Sequence, residues 1–196
     1  NSLCLSNSDT VQVTVTNTAT GDVIGLDGHH VQIEGLRVVG NHPGGETGGL
    51  GIGAGAHHNK IFRTGFVTTV CTQCTNQANV AISGAHNLLE DCWAWGSGRY
   101  KFLLYGGDAS PSDSGSYNVL RRCVARHDRQ YSGGFNPHST FCNYQAANNA
   151  FQNCIAIDSD QVAHYDRSWA GTFFFEKGQK GGLRLVEKAS YDPFLE

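Results

Sequence analysis

Methionine is absent from these 196 residues, and no run of Lys and Arg is longer than Arg121-Arg122. The missing basic stretch, with a net charge of -3 and a pI near 6.3, leaves no electrostatic footprint for nucleic acid or an anionic membrane surface. Nor is there an apolar stretch with the length of a membrane span or of a secretory signal. The chain starts at Asn1 without an initiator Met, which fits either a processed mature chain or a piece of something longer. Long helices draw heavily on Ala, Leu, Glu, Lys and Met. A chain with no Met, 25 Gly and abundant Asn, Ser and Thr therefore reads as a turn-rich β protein. Its 39% apolar content is enough for one core, so a single domain over 1–196 is expected.

What the chain does have is a repeat. Asn87-Leu-Leu-Glu-Asp-Cys92-Trp-Ala94, Asn118-Val-Leu-Arg-Arg-Cys123-Val-Ala125 and Asn149-Ala-Phe-Gln-Asn-Cys154-Ile-Ala156 follow one another at intervals of 31 residues. Stepping back by 28 from Leu89 reaches Ile61, and by 28 again reaches Ile33, so the register continues toward the N-terminus. Three columns follow: Ile33, Ile61, Leu89, Leu120, Phe151; then Leu36, Thr64, Cys92, Cys123, Cys154; then Val38, Phe66, Ala94, Ala125, Ala156. Nearly all of these side chains are apolar or small. Short alternating segments broken by Gly, Asn and Ser fit strands that stack on their counterparts about 4.8 Å away in the next coil. No stretch holds a helical apolar period over two turns. The column Asn59, Asn87, Asn118, Asn149 suits a turn where stacked amides satisfy one another along the axis.

The Asn-x-Leu-x-x-Cys-x-Ala rungs resemble the repeats of right-handed parallel β-helix proteins of the pectate-lyase-like superfamily, over roughly residues 23 to 178. The resemblance implies an all-β solenoid of about five to six coils of 28–31 residues. Residues 1–24 would form an N-terminal coil or cap, 25–178 the regular coils, and 179–196 a C-terminal cap or tail that leaves the register. Members of that superfamily include polysaccharide lyases, glycoside hydrolases, tailspikes, adhesins and proteins without known catalysis, so the fold does not carry the chemistry. The Asn-Thr-Asp, Asp-Asp and Arg-Ile-Lys motifs of polygalacturonase-like hydrolases and a calcium-dependent pectate lyase signature are both missing. No catalytic residue is carried over by motif.

Candidate site residues come instead from alignment of the rungs, which sets Gly96 to Arg99 beside His127 to Gln130 and Asp158 to Gln161 on one edge. Arg99, Lys101, Arg126, His127, Asp128 and Asp160 are the candidate catalytic set. Elimination from a uronate polymer needs a cation for the sugar carboxylate, a base for the C5 proton and an acid for the leaving oxygen, and these side chains supply such parts. The alternative is a solvated turn edge whose opposite charges pair loosely. Trp93 and Trp95 alternate with inward Cys92 and Ala94 and should point outward, where they can stack on sugar rings or be covered by another chain. Arg129, His164 and Arg167 join them as candidate carbohydrate or partner contacts.

His30, His58 and His86 share a column, preceded by His29 and His57. Stacked rings at a turn account for this better than a metal site, because no carboxylate or thiolate set accompanies them. Cys71-Thr-Gln-Cys74 lacks the second pair of a structural zinc site, which leaves a local disulfide or two free thiols. No resident metal is expected, although calcium is compatible with a lyase. The expected role is an extracellular or cell-surface protein that engages polysaccharide, as a lyase or a hydrolase. The alternative is a non-catalytic subunit of a fibre, spike or surface assembly, whose partners are other copies of itself.

Overall fold

Strands of three to six residues, each with one apolar side, cannot bury that side alone; stacking in parallel gives each a neighbour above and below. The computed structural model describes residues 12–15, 22–40, 47–68, 77–96, 98–107, 113–127, 139–158, 173–176 and 184–186. They form three six-stranded sheets. The first stacks β1 (Gln12–Val15), β4 (Arg37–Gly40), β7 (Gly65–Thr68), β10 (Trp93–Gly96), β13 (Val124–His127) and β16 (Ile155–Asp158). The second stacks β2 (Ile24–Leu26), β5 (Thr47–Ile52), β8 (Ala78–Ile82), β11 (Tyr100–Tyr105), β14 (Ser139–Tyr144) and β17 (Phe173–Glu176). The third stacks β3 (Gln32–Glu34), β6 (Lys60–Phe62), β9 (Leu88–Glu90), β12 (Val119–Arg121), β15 (Ala150–Gln152) and β18 (Arg184–Val186).

The chain visits the three sheets in turn and every strand pairing is parallel, so the protein is an all-β solenoid. No helix among the described residues is long and apolar enough to cross a membrane. The closed part of the stack is β4 to β15, about four turns where the repeat points to five to six. At either end the inner side chains are only half buried, with Ile24, Leu26 and Ile33 at one end and Cys154, Ala156 and Phe173 at the other. A terminal coil is covered on one side only. The C-terminal segment also differs from expectation: Leu185 continues the third sheet opposite Phe151 instead of leaving the register.

Inside, the columns read from the repeat are the core. Ile33, Ile61, Leu89, Leu120 and Phe151 lie in register along the third sheet, and Phe66, Ala94, Ala125 and Ala156 along the first. The second sheet adds Leu50, Val80, Phe102, Phe141 and Phe173. Volumes compensate across the bore. Phe102, Phe141 and Phe173 stack toward the C-terminal end, where the first sheet offers only Ala94, Ala125 and Ala156. Close packing requires that large side chains on one wall meet small ones on another.

Two of the corners carry a left-handed residue at a fixed place. Between the third and first sheets it is Gly35, Arg63, Asp91, Arg122 and Asn153; between the second and third it is His30, His58, His86, Tyr117 and Asn148, with φ between 56° and 58°. His, Asn and Asp tolerate this region better than most L residues. Next to the second set, the buried Asn column serves the backbone more than itself. Asn118 Oδ1 accepts from the Asn87 N–H (2.8 Å), Asn149 Oδ1 accepts from the Asn118 N–H (2.7 Å), and the Asn118 and Asn149 amides donate to the carbonyls of Gly84 and Gly115. The amide-to-amide bond expected throughout the column occurs between Asn87 and Asn118 (3.0 Å). A tight turn leaves backbone groups without sheet partners, and these compete for the amides.

The Cys column is thiol. Cys92, Cys123 and Cys154 are free, and each Sγ donates both to the carbonyl two residues before it and to one in the preceding coil. Thr64 makes the same local bond to Phe62, so this is a packing position for a small weak donor. Contact with Cys154 and Cys92, together with burial, raises the Cys123 pKa well above its ordinary value and keeps it protonated.

The His corner gives stability a pH dependence. The pKa of His58 is lowered by desolvation and by the neighbouring His57, His86, His30 and His29. A base whose folded pKa lies below its unfolded value of about 6.5 leaves the unfolded chain holding more protons. Its contribution is complete above that value and is lost as the pH falls through and below it. Asp91, held below the usual carboxylate range by its hydrogen bond to Arg122, loses its contribution only below about pH 4, so the two windows are separate. Melting temperatures should therefore be flat above about pH 7 and fall as the pH drops below about 6.5. His58→Asn should reduce that slope; an unchanged slope would mean the ladder is not its source.

Candidate functional site

The third corner, between the first and second sheets, is built differently. Here β4, β7, β10, β13 and β16 hand over to the second sheet through segments of unequal length, from the three residues between β10 and β11 to the fourteen between β16 and β17. Loops of variable length beside a rigid stack are where function is usually grafted. Of the residues singled out by sequence, Trp95, Arg99, Lys101, Arg126 and His127 lie on or next to the strands that bound this corner.

Trp93 and Trp95 lie on β10 and are half-buried, on the face opposite inward Ala94. Register sets Trp93 beside Val124 and then Ile155, and Trp95 beside Arg126 and then Ile157, as the alternation implied. The two indoles are 5.2 Å apart and tilted by 58°. Gly65 makes room for the first of them, since a Cβ there would fall 1.9 Å from Trp93 Cζ2. The Arg126 guanidinium lies over the Trp95 ring at 4.7 Å from its centre. A cation held on an indole face is fixed in position by the ring.

Arg99 opens the second sheet's side of the corner and lies over the Tyr100 ring at 4.9 Å. Its N–H and that of Tyr100 both donate to the Gln77 carbonyl, and its own carbonyl accepts from Ser139. Lys101, a member of the candidate catalytic set, is 0% exposed and donates from Nζ to the Gly98 carbonyl at 3.0 Å, so it does not belong to a solvated edge. In this position it ties the β10–β11 turn from within, whereas Arg99 and Arg126 are only half-buried. His127 is placed by its backbone, opposite Gly96 on one side and Asp158 on the other. Asp128, Asp160, Arg129, His164 and Arg167 lie outside the described residues, as does the Cys71–Cys74 pair.

A polar knot under the corner was not singled out from the sequence. Thr68, Gln77, Asn79, Lys101 and Ser139 are all buried there. Asn79 Nδ2 donates to the Trp95 carbonyl at 2.6 Å, which links the knot to the indole strand. Gly98 lies over the knot, where a Cβ would be in ordinary contact with Gln77 Oε1 and Asn79 Oδ1, at 3.4 and 3.5 Å. Among the described residues, both Gln77 side-chain atoms, Asn79 Oδ1 and Ser139 Oγ are buried without a hydrogen-bond partner. The available signal was Gln77-Ala-Asn79 at the head of an otherwise apolar strand. Polar residues beginning a short strand are so common at turns that the pattern does not distinguish a knot from a cap.

Among the described residues, no group of three or more His, Cys, Asp or Glu side chains could hold a metal ion. A scan against protein-family models, a search of the curated proteins and a search of the solved structures found no match to this chain.

Proposed function

We propose that this protein is a right-handed parallel β-helix of the pectate-lyase-like superfamily that engages an acidic polysaccharide outside the cell or at its surface. Parallel crossovers are right-handed in nearly all known sheets, which supports the hand. The observation that carries the function is the Arg126 guanidinium seated on the half-buried Trp95, beside Trp93 on a rigid sheet. Indole faces suit the apolar faces of sugar rings, and an adjacent fixed cation suits a uronate carboxylate. If the site is catalytic, Arg126 and Arg99 stabilise charge on the sugar acid, while His127 and Asp128 are the candidates for proton transfer, as a lyase or a hydrolase.

Incubation with a panel of uronic-acid and neutral polysaccharides, with and without calcium, tests this. Unsaturated sugar ends would establish a lyase, and reducing ends alone a hydrolase. Retention on a uronate polymer should weaken by roughly tenfold in Arg126→Ala, the equivalent of about 1.5 kcal/mol for one charge-assisted hydrogen bond. Neither product nor retention across the panel would defeat the reading.

One observation favours a second reading, a structural subunit. Ile155 and Ile157, in the same outward columns as the indoles, are 56% and 42% exposed. Apolar residues in a row on an outward face are characteristic of contact surfaces between chains. Ordered polymers in particle images, together with silence on the polysaccharide panel, would favour it.

A further inference from the structure

The corner between the second and third sheets, remote in the coil from the indole strand, carries five imidazoles in two parallel files. His29 stacks on His57 (centres 4.8 Å apart, planes 11° apart), His30 on His58 (5.3 Å, 28°), and His58 on His86 (5.1 Å, 12°), with Tyr117 continuing the second file beyond His86 (4.8 Å, 7°). Within a coil, neighbouring rings are nearly perpendicular: 85° for His29 and His30, 87° for His57 and His58. The same arrangement thus occurs in two successive coils. Its cause is the left-handed backbone at the second His of each pair, with φ of 58° in both.

In the upper pair the two ring nitrogens His57 Nδ1 and His58 Nδ1 are 2.9 Å apart. With metal–nitrogen bonds of about 2.0–2.1 Å, two nitrogens at that separation subtend an angle of about 90° at a shared metal, whereas a tetrahedral ion needs them about 3.3–3.4 Å apart. Right-angled nitrogen ligands are the preference of tetragonal ions, Cu(II) and Ni(II), over tetrahedral Zn(II). We propose that His57 and His58 form a surface chelate for a tetragonal divalent transition metal, Cu(II) or Ni(II), binding through both Nδ1 atoms.

The geometry is prepared in advance. Stacking on His29 below His57, and between His30 and His86 around His58, holds both rings, so little rotamer freedom remains to be lost on binding. His58 is exposed and His57 partly so, which leaves room for water to complete the coordination, since no third His, Cys, Asp or Glu ligand joins them among the described residues. The shared position replaces the hydrogen bond between the two nitrogens. Each neutral ring then keeps its proton on Nε2, and no net charge is transferred within the pair.

Other coils supply replacements. Ala85 and Ala147 occupy the place of His57 in their own turns, and Asn148 takes the left-handed position of His58 with φ of 56°. His57→Ala and His58→Asn therefore install residues that this corner already accommodates. Cu(II) titration of the full chain, followed by calorimetry and electron paramagnetic resonance, should show a first equivalent with a tetragonal spectrum and hyperfine coupling to two nitrogens. Either substitution should weaken that equivalent by at least about tenfold, since losing a direct ligand costs no less than losing an outer partner. Circular dichroism checks that the fold persists. The proposal is overturned if the native chain takes up no Cu(II), if the spectrum shows one nitrogen only, or if the folded double variant H57A/H58N binds as the native chain does.

Discussion

Replacing Phe141 with alanine should lower the melting temperature by roughly 6 to 20 °C, the equivalent of about 3–5 kcal/mol at about 2–4 °C per kcal/mol for a chain of this size. Phe141 is fully buried at the middle of the aromatic column. It stacks against Phe102 on one side and Phe173 on the other, at 5.2 and 4.9 Å, and meets the edge of Phe151 at 5.8 Å. No other wall can fill the hole. The first sheet presents only Ala125 and Ala156 there, and sheets locked into register above and below cannot close inward. Differential scanning calorimetry decides the matter: a loss of less than about 1 kcal/mol would mean that the column is loosely packed and the volume compensation across the bore is wrong.

Asn118→Leu should be nearly as damaging although it removes no apolar contact. The side chain accepts from the Asn87 N–H and Asn87 Nδ2 and donates to the Gly84 carbonyl, all in the preceding coil. Leucine would leave these groups buried without partners, at about 1–3 kcal/mol each. The expected loss is about 3 kcal/mol or more, or roughly 6–12 °C. In a stack where each coil touches only its neighbours, the damage should be local. Amide exchange should accelerate first around Asn87 and Gly84, ahead of β14 and β15. Uniform acceleration, or none, would count against the Asn column as the tie between coils.

These two residues show how legible the fold was. Phe141 belongs to the second strand of its rung, which the sequence shows as His138-Ser-Thr-Phe-Cys142 between Tyr100 to Tyr105 and Thr172 to Phe175, but outside any fixed interval, because the length of chain between the first and second sheets varies. Asn118 lies in a rung repeated at 31 residues, and its column was visible directly. Even there, the expected amide-to-amide ladder gave way to bonds with Gly carbonyls, because the sequence shows which side chains stack but not which backbone groups a turn leaves unpaired. Likewise Leu185 continued the stack without the flanking Asn and Cys that would have announced it.

The candidate site was legible in one direction only. Alternation along β10 and the rung register placed Trp95 beside Arg126, since a period of two and a repeat of fixed length determine which residues become neighbours. Whether such a side chain reaches solvent is another matter. Lys101, one residue into its strand at the same corner, is buried and turned onto Gly98. The near approach of two His nitrogens was equally invisible, as it depends on a backbone angle that no adjacent pair of histidines implies.

The amino-acid sequence by itself determined a parallel stack of short strands, the inward columns and the outward row of indoles, because periodicity is a property of order along the chain. Tertiary structure alone decided which polar groups are buried, which cations face solvent and how closely two imidazoles approach. These depend on distances across corners, where the repeat is interrupted and the chain's path is set by packing.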